Sequence, residues 1–189
     1  MYRKLRTQFL LPVVALAVTA IITGIVINLF YQTAYPVHWA DEVERYSEEF
    51  GVEKSLVFGV IHTESSFRPE AVSPVGARGL MQITEETFDW AKWRMGDADT
   101  SYEDLFEPES NIKYGTYILS LLIEEFDDTS VALAAYHAGW GNVKKWLDDK
   151  AFSDDGRFLN NTPFAKTNDY VVKVNKATEI YRKLLEGKD

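Results

Sequence analysis

Glu64 is the carboxylate in this sequence that is best placed for acid–base chemistry. It follows the apolar run from Leu56 to Ile61 and opens onto a loop rich in glycine and proline, so we expect it at the end of a buried helix. Apolar surroundings disfavour the charged form of a carboxyl group and raise its pKa, as a general acid at neutral pH requires. Position alone still favours the plainer interpretation of a solvated glutamate at a helix end.

The segment after this glutamate has the composition of a loop that contacts a ligand. Ser73, Gly76, Gly79 and Gln82 would offer a hydroxyl, a side-chain amide and closely approaching backbone. The run from Gly79 through Leu80 and Met81 to Gln82 alternates small, apolar and polar groups, as the wall of a sugar cleft would. An ordinary structured loop explains the same composition, and both interpretations stay open from the residues alone.

A third segment, residues 134–141, combines small residues with two protruding rings. Its alanines and glycines allow close helix packing, while Tyr136 and His137 project from it. A packed tyrosine is the usual outcome for such a residue, and spacing alone does not place it beside Glu64.

Other chemistries lack their residues. The histidines His38, His62 and His137 have no metal-ligand spacing, and the chain contains no cysteine. No strand-turn-helix serine motif and no glycine-rich phosphate loop is present. We therefore expect no metal site and no cofactor.

The apolar pattern predicts that these residues are positioned by helices. The predicted helices are 41–50, ending at Gly51, then 53–65, 84–93 capped by Thr84, 111–126, one capped by Thr129 or Ser130 and ending at Gly139, 140–147 and 167–185. No alternating pattern typical of strands occurs. The fold class expected is a mainly α single domain.

A long apolar segment precedes this domain. The run from Phe9 to Phe30 carries no charge, and at about 1.5 Å rise per residue it can cross a bilayer core of roughly 30 Å. Arg3, Lys4 and Arg6 precede it, so the positive-inside rule predicts a cytoplasmic N-terminus and an exported domain. A cleaved signal peptide would have a shorter apolar core and small residues at its end. We expect an anchor with its connector over 1–37 and a domain over 38–189.

Net charge and composition limit the classes of molecule that this protein is expected to bind. The formal net charge is -9, and the absence of a basic face argues against nucleic acid. The absence of cysteine excludes disulfides, cysteine nucleophiles and lipoprotein anchoring. The charged helix faces suggest no oligomer interface, so we expect a monomer that meets the membrane through its N-terminal helix.

Several motifs together resemble one known family. Glu64-Ser65-Ser66-Phe67 and the run from Ser73 to Ile83, SPVGARGLMQI, resemble the signature of the soluble lytic transglycosylase family. Further matches follow in family order at 108–112 with Gly115 and Tyr117, at 134–139, and at 162–164 with Thr167, Tyr170 and Val171. The resemblance covers about 39–181 and implies a lysozyme-like fold related to goose-type lysozyme.

The resemblance also implies roles for individual residues. Glu64 matches the family's single catalytic acid. Ser73 matches a residue near the acetamido group of the reacting sugar, and Gln82 one that contacts the glycan. Tyr136 matches the tyrosine beside the acid, and Tyr170 a second tyrosine at the cleft. By their places in these motifs, Met81 and His137 join the substrate-binding candidates.

Three positions depart from the family pattern. His137 stands where asparagine is usual, Lys166 where glutamate is usual, and Asn168 where arginine is usual. These departures change the charge of one side of the cleft, so they bear on substrate contacts and stem-peptide preference and leave the acid in place.

The substrate class that the resemblance implies is peptidoglycan, cut between N-acetylmuramic acid and N-acetylglucosamine. Glycosidases normally use two carboxylates, whereas this family uses one and leaves 1,6-anhydromuramyl ends. A hydrolytic muramidase of the same fold would need a second carboxylate, for which Glu85, Glu86 and Asp104 are the candidates. A membrane-anchored scaffold that binds the wall without cutting it is the remaining alternative.

Overall fold

The computed structural model describes the backbone of residues 2–186 and the side chains of residues 12–186. Within that part the chain is mainly helical and forms no strand. The elements in chain order are α1 (Tyr2–Ala34), α2 (Ala40–Phe50), α3 (Lys54–Ser65), α4 (Glu85–Met95), a 3-10 turn (Tyr102–Phe106), α5 (Pro108–Phe126), α6 (Thr129–Ala138), α7 (Trp140–Leu147) and α8 (Ala165–Glu186). The chain divides into two compact units, with the boundary between Val37 and His38.

The first unit is built on α1, whose described side chains are almost all exposed and apolar. Pro12–Ala34 is long and apolar enough to cross a membrane, judged by length and composition. The helix runs on to Ala34, past the predicted end at Phe30. The side chains of the basic residues that set the predicted orientation, Arg3, Lys4 and Arg6, lie outside the described part.

Helix ends in the second unit follow local capping chemistry. Gly51 ends α2 in a left-handed conformation, as predicted, and the Thr84 hydroxyl accepts the Thr87 N–H at 3.3 Å at the start of α4. The cap predicted at Thr129 or Ser130 is wrong. Asp128 caps α6 instead, with its carboxylate accepting the Val131 N–H at 2.8 Å; Asp, like Ser and Thr, is a favoured residue at this position.

Other boundaries differ from the predicted ones by a few residues. Helix α5 begins at Pro108 instead of Asn111, since proline suits the first helical position. Helix α8 begins at Ala165 instead of Thr167, and α4 continues to Met95. Residues Tyr102–Phe106, expected in a loop, form a 3-10 turn.

Helices α3 and α8 pack antiparallel along their lengths and form the centre of the second unit. At one end the Arg182 guanidinium pairs with the Glu53 carboxylate at 2.8 Å. In the middle, Gly59 lets the backbones meet, because a Cβ there would lie 3.1 Å from both the Thr178 nitrogen and the Val174 oxygen. The other end brings Glu64 to α8. The apolar stripe predicted on α3 is buried, including Val57 and Ile61.

The segment 66–83, here called the glycine loop, connects α3 to α4 and is folded without regular strands. Arg78 forms isolated antiparallel bridges with Val72 and with Ile83. The loop therefore has a fixed shape, set by backbone hydrogen bonds between its own arms, such as Gly79 N–H to the Ala71 carbonyl at 2.9 Å.

Candidate active site

Glu64 is the penultimate residue of α3 and is half-buried. Burial raises the pKa of its carboxyl to about 7, and the hydroxyl of Tyr170 opposes part of that rise. At neutral pH the protonated and ionised forms of this carboxyl are therefore both populated. A carboxyl group in that condition can donate a proton and take one back.

Two tyrosines face Glu64 from other helices. Tyr136, on α6, and Tyr170, on α8, both have pKa values raised well above the usual phenol value, first by burial and then by the charge of Glu64. The Tyr170 hydroxyl is buried and makes no fully formed hydrogen bond, so its effect on Glu64 is that of a phenol dipole close by. We call Glu64, Tyr136 and Tyr170 the acid cluster.

His137 lies beside this cluster and is exposed. Its ring stacks on Tyr170 with the centroids 4.5 Å apart, and its Nδ1 is 3.2 Å from the Thr167 hydroxyl. Partial desolvation of the ring lowers its pKa, and the positive charge of Lys166 lowers it further. A neutral imidazole thus lies beside the acid cluster at neutral pH.

Asn111 holds the glycine loop in place from α5. Its side-chain oxygen accepts the Met81 N–H at 2.7 Å, and its nitrogen donates to the carbonyls of Arg78 at 3.0 Å and Leu105 at 2.8 Å. Gly79 has a positive φ of 75° and passes so close that a Cβ would overlap Asn111 and the Leu105 carbonyl. Asn111 is completely buried, so these bonds are made without competition from water.

Met81 was predicted to bind substrate, but its side chain is not exposed and cannot contact one directly. The side chain is completely buried and packs against α5 at Gly115. The Met81 carbonyl instead accepts the Tyr136 hydroxyl at 2.8 Å. Met81 therefore joins the glycine loop to the acid cluster through its backbone.

Gln82 and Ser73 also spend polar groups on the loop itself. The Gln82 side-chain nitrogen donates to the carbonyls of Gly79 at 2.9 Å and Ala71 at 3.1 Å, and the residue also lines the cleft described below. The Ser73 hydroxyl accepts the Ala77 N–H at 3.0 Å across a tight turn. Both residues are half-buried.

Tyr102 and Arg78 fix the outer arm of the loop. The Tyr102 hydroxyl lies 2.7 Å from the Gly76 carbonyl and 3.1 Å from the Ile83 carbonyl. The Arg78 guanidinium stacks 4.1 Å from the centre of the Tyr102 ring. Sequence reasoning missed Tyr102 because nothing in its local pattern separates it from other half-buried tyrosines.

A cleft of about 710 Å³ continues from Tyr136 and Gln82 between α4, α5 and α7. Two tryptophans line it, Trp90 on α4 and Trp140 on α7, and they are 41% and 52% exposed. Exposed aromatic faces of this kind suit the apolar faces of sugar rings. Sequence reasoning missed both, because α4 and α7 are far apart in the chain and nothing in the local pattern of either tryptophan links it to the other.

The two other departures from the family pattern lie in the first turn of α8, ahead of Tyr170. Asn168 binds the loop before α8, accepting the Thr162 N–H at 2.9 Å and donating to the Thr162 carbonyl at 3.2 Å. Lys166 is exposed in the first turn of α8, where its charge acts on His137.

The carboxylates proposed as second groups for hydrolysis occupy different places. Glu86 lines the cleft, and Glu85 is exposed in the same first turn of α4. Asp104 accepts the Ser101 N–H at 2.7 Å in a local capping box, so its carboxylate is committed. Across residues 12–186 no group of three or more acidic or histidine side chains is arranged to hold a metal ion.

Comparison with known proteins gives matches over most of the second unit. The family model for the transglycosylase SLT domain matches residues 41–158. A soluble lytic murein transglycosylase from Salmonella typhimurium is 33% identical over 158 residues, covering 82% of this chain and 24% of the relative. Membrane-bound lytic murein transglycosylase C from Edwardsiella ictaluri is 33% identical over 174 residues, covering 77% of this chain and 47% of the relative.

Among solved structures, the 70 kDa soluble lytic transglycosylase of Escherichia coli superimposes with a TM-score of 0.75 at 31% identity. The match covers 90% of this chain and 28% of that protein. It confirms the mainly α, lysozyme-like fold expected from the resemblance. The chain spans about a quarter to a half of the length of the curated relatives it matches.

Membrane attachment is supported by two independent features, the apolar helix α1 and the membrane-bound relatives. The family model, the relatives and the superposition agree with the motifs that surround Glu64. Since that model matches more than half of the sequence, the chain belongs to the transglycosylase SLT domain family.

Proposed function

We propose that this protein is a peptidoglycan lytic transglycosylase that cleaves the β-1,4 bond between N-acetylmuramic acid and N-acetylglucosamine. The observation that carries the proposal is the Glu64 carboxyl, half-buried beside two phenols, with a pKa of about 7. That single group can serve as acid and then as base at neutral pH. The names of the relatives supply the substrate class, murein.

In the first step the protonated Glu64 carboxyl gives its proton to the glycosidic oxygen, and the bond from that oxygen to the muramyl C1 breaks. Positive charge then develops at C1, where the neighbouring 2-acetamido oxygen of the substrate stabilises it. The acetamido group takes the place of the second carboxylate that a glycosidase ordinarily uses.

In the second step the Glu64 carboxylate removes the proton from the muramyl C6 hydroxyl, and the C6 oxygen bonds to C1. The product is a 1,6-anhydromuramyl end, and Glu64 is protonated again for the next cycle. No water is consumed, so the reaction is a lyase reaction and not a hydrolysis.

The residues around Glu64 have supporting roles in this scheme. Tyr170 and Tyr136 set the acidity of the carboxyl, the first through its phenol dipole and both through exclusion of water. Gln82 presents its free amide oxygen to glycan hydroxyl or amide groups, and Ser73 lies by the acetamido group. The His137 ring borders the reacting sugars.

A hydrolytic muramidase is the second candidate because Glu86 lines the cleft that Tyr136 of the acid cluster also lines, and its carboxylate could orient a water molecule. The two candidates differ in their products. Hydrolysis leaves reducing muramyl ends, whereas the transglycosylase reaction leaves ends that are lighter by one water.

For location, we propose a single-pass membrane protein with residues 1–37 as cytoplasmic end, anchor and connector, and 38–189 as a monomeric catalytic domain on the wall side. The apolar helix and the bases before it support this orientation. An acidic domain is repelled by an anionic wall, so the tether raises its effective concentration near the glycan.

Mass spectrometry of the products released from purified peptidoglycan tests the proposal. The full chain in mild detergent is compared with Glu64→Gln and with Glu124→Gln, an equally isosteric change at an exposed position of α5. We expect anhydro products from the unchanged protein and from Glu124→Gln, and a loss of about 10²- to 10⁴-fold in Glu64→Gln. Reducing-end products that vanish in Glu86→Gln would establish the muramidase instead, and a folded Glu64→Gln protein that still cleaves would remove Glu64 from the chemistry.

A further inference from the structure

The chain leaves the helix of Glu64 through two residues with strained backbone. Ser66 and Phe67 have φ values of 51° and 62°, in the left-handed region that residues other than glycine rarely adopt. Such conformations cost free energy and persist only where surrounding structure holds them. Because they follow Glu64 by two and three positions, they determine how the end of α3 turns into the glycine loop.

Phe67 is held by a cage of aromatic rings, and its own side chain is buried. Five ring centroids lie between 6.0 and 6.5 Å from that of Phe67; the rings belong to His38, Trp39, Phe58, His62 and Tyr181. These distances fall within the range of favourable aromatic contacts. We call this group the Phe67 cage.

Trp39 closes the cage at the start of the second unit. Its ring lies nearly parallel to that of Phe67, with the centroids 6.2 Å apart and an angle of 10° between the planes. Trp39 precedes α2 and also has a positive φ of 55°. Both partners of the stack thus have backbone conformations that are unfavourable in isolation, and such conformations persist where surrounding contacts hold them. Trp39 does not line the cleft between α4, α5 and α7.

We propose that Trp39 is a positioning residue for the reaction of Glu64: by stacking on Phe67 it holds the strained turn at 66–67 and so keeps the Glu64 carboxyl against Tyr136 and Tyr170. The inference rests on the proposed function of Glu64. It goes beyond that function by assigning the geometry of the site to a residue outside the cleft.

Hydrogen bonds hold the same turn from the backbone side, and they show what the stack must add. The Ser66 N–H donates to the His62 carbonyl at 3.1 Å, and the Arg68 side chain donates to the Ser65 carbonyl at 2.9 Å. Neither bond contacts the Phe67 ring. Trp39 packs on one face of that ring, so we expect that without it the turn is less firmly held and water gains access to the Glu64 carboxyl.

The test uses the full chain in mild detergent with Trp39→Ala, Trp39→Phe and Trp39→Leu. Its control is Trp93→Ala on α4, a tryptophan that is 76% exposed and away from the cage and the cleft lining. For Trp39→Ala we expect kcat to fall about tenfold with KM nearly unchanged, because misplacement of a catalytic group acts on the transition state. Trp39→Phe, which keeps a stacking ring, restores most of the rate, while Trp39→Leu does not. Trp93→Ala behaves as the unchanged protein.

The second readout is independent of catalysis. The Glu64 carboxyl is titrated by carbon-13 NMR, and its signal is assigned by its absence in Glu64→Gln. The titratable groups nearest to consider are Tyr136 and Tyr170, which face the Glu64 carboxyl, and His62 in the Phe67 cage. Because the carbon-13 signal belongs to Glu64 alone, its titration is measured separately from theirs. We expect the Glu64 midpoint to fall by about one pH unit in Trp39→Ala, since a hydrated carboxyl ionises more easily.

A folded Trp39→Ala protein whose Glu64 midpoint and kcat match the unchanged protein would overturn the proposal. So would Trp39→Leu with an unchanged midpoint, because the leucine keeps apolar volume without a stacking ring. Failure of the proposed function is separate: cleavage by Glu64→Gln would refute the role of Glu64, while the effect of Trp39 on the Glu64 midpoint would still be measurable.

Discussion

Glu64 lies among apolar and phenolic groups that leave its carboxyl only partly ionised at neutral pH, whereas Gln82 in the glycine loop is bound by its amide nitrogen to two backbone carbonyls. In the acid cluster, the buried Tyr170 hydroxyl makes no fully formed hydrogen bond, whereas the Tyr136 hydroxyl is bonded to the Met81 carbonyl. In the glycine loop nearly every named polar side chain is bonded to backbone. The acid cluster therefore contains a carboxyl group whose protonation can change at neutral pH, whereas the polar side chains of the glycine loop mainly hold its backbone in a fixed conformation.

Asn111→Ala breaks the loop side of this comparison and has the largest expected effect. It removes three hydrogen bonds in a completely buried place and leaves the Met81 N–H without its acceptor. Unsatisfied buried groups cost about 1–3 kcal/mol each, so we expect a loss of about 4 kcal/mol in the free energy of unfolding. Thermal denaturation with hydrogen exchange at 78–83 measures it.

Asn142→Ala is the control for this change, since Asn142 is exposed and its side chain bonds only the Ala138 carbonyl. It should lower the stability by less than about 1 kcal/mol. Equal effects of the two substitutions would show that Asn111 does not organise the glycine loop.

Glu64→Gln sharpens the acid side of the comparison, with an effect on stability opposite to its effect on catalysis. The pKa of Glu64 is about 7 in the folded protein and lower when unfolded. The folded state therefore binds the proton more tightly, and stability falls as the pH rises from about 4.5 to about 7. Glutamine removes this dependence, so the variant should be more stable than the unchanged protein above pH 7, by up to about 3 kcal/mol.

Unfolding curves at pH 5 and pH 8 check this expectation, and the difference between the two proteins should shrink at the lower pH. Glu124→Gln, at an exposed position, should show no such divergence. If Glu64→Gln is destabilised at pH 8, the carboxyl is not held in the desolvated condition described above.

Tyr170→Phe has the smallest expected effect and tests the phenol dipole alone. The Tyr170 hydroxyl lowers the pKa of Glu64, so its removal should raise that pKa and move the basic limb of the rate–pH profile upward, by less than about one unit. The phenylalanine ring keeps the stack with His137. A shift to lower pH would mean that the hydroxyl does not favour the carboxylate.

The sequence predicted the elements that depend on local pattern. The periodic apolar residues of α3 and the glycine at the end of α2 gave the correct helices, and the expected rise in the pKa of Glu64 agrees with the burial of its carboxyl. The cap at Asp128 was missed because threonine and serine next to it are equally acceptable by type. Which of three adjacent residues caps a helix depends on how the helix packs in the folded domain, and the local sequence does not contain that information.

The assembly of the site could not be predicted from spacing. Tyr136 and Tyr170 reach Glu64 only through the packing of α6 and α8, which pairs residues far apart in the chain. The Asn111 side chain and the Trp39 ring act at similarly long range. The family resemblance supplied the places of the two tyrosines, but it gave Met81 a direct contact with substrate where the structure gives it a buried side chain and a bonded carbonyl.

Gly59 helps to set the geometry of the acid cluster although it does not line the cleft between α4, α5 and α7. Glu64 follows Gly59 by five residues, about 7.5 Å along the same helix. On α8, Val174 contacts Gly59, and Tyr170 precedes Val174 by about one turn. Helices α3 and α8 approach most closely at Gly59, and Glu64 and Tyr170 lie further along the same pair of helices. Because Gly59 has no side chain, the two helices can pack closely there, and this close packing sets the separation of the Glu64 carboxyl and the Tyr170 hydroxyl.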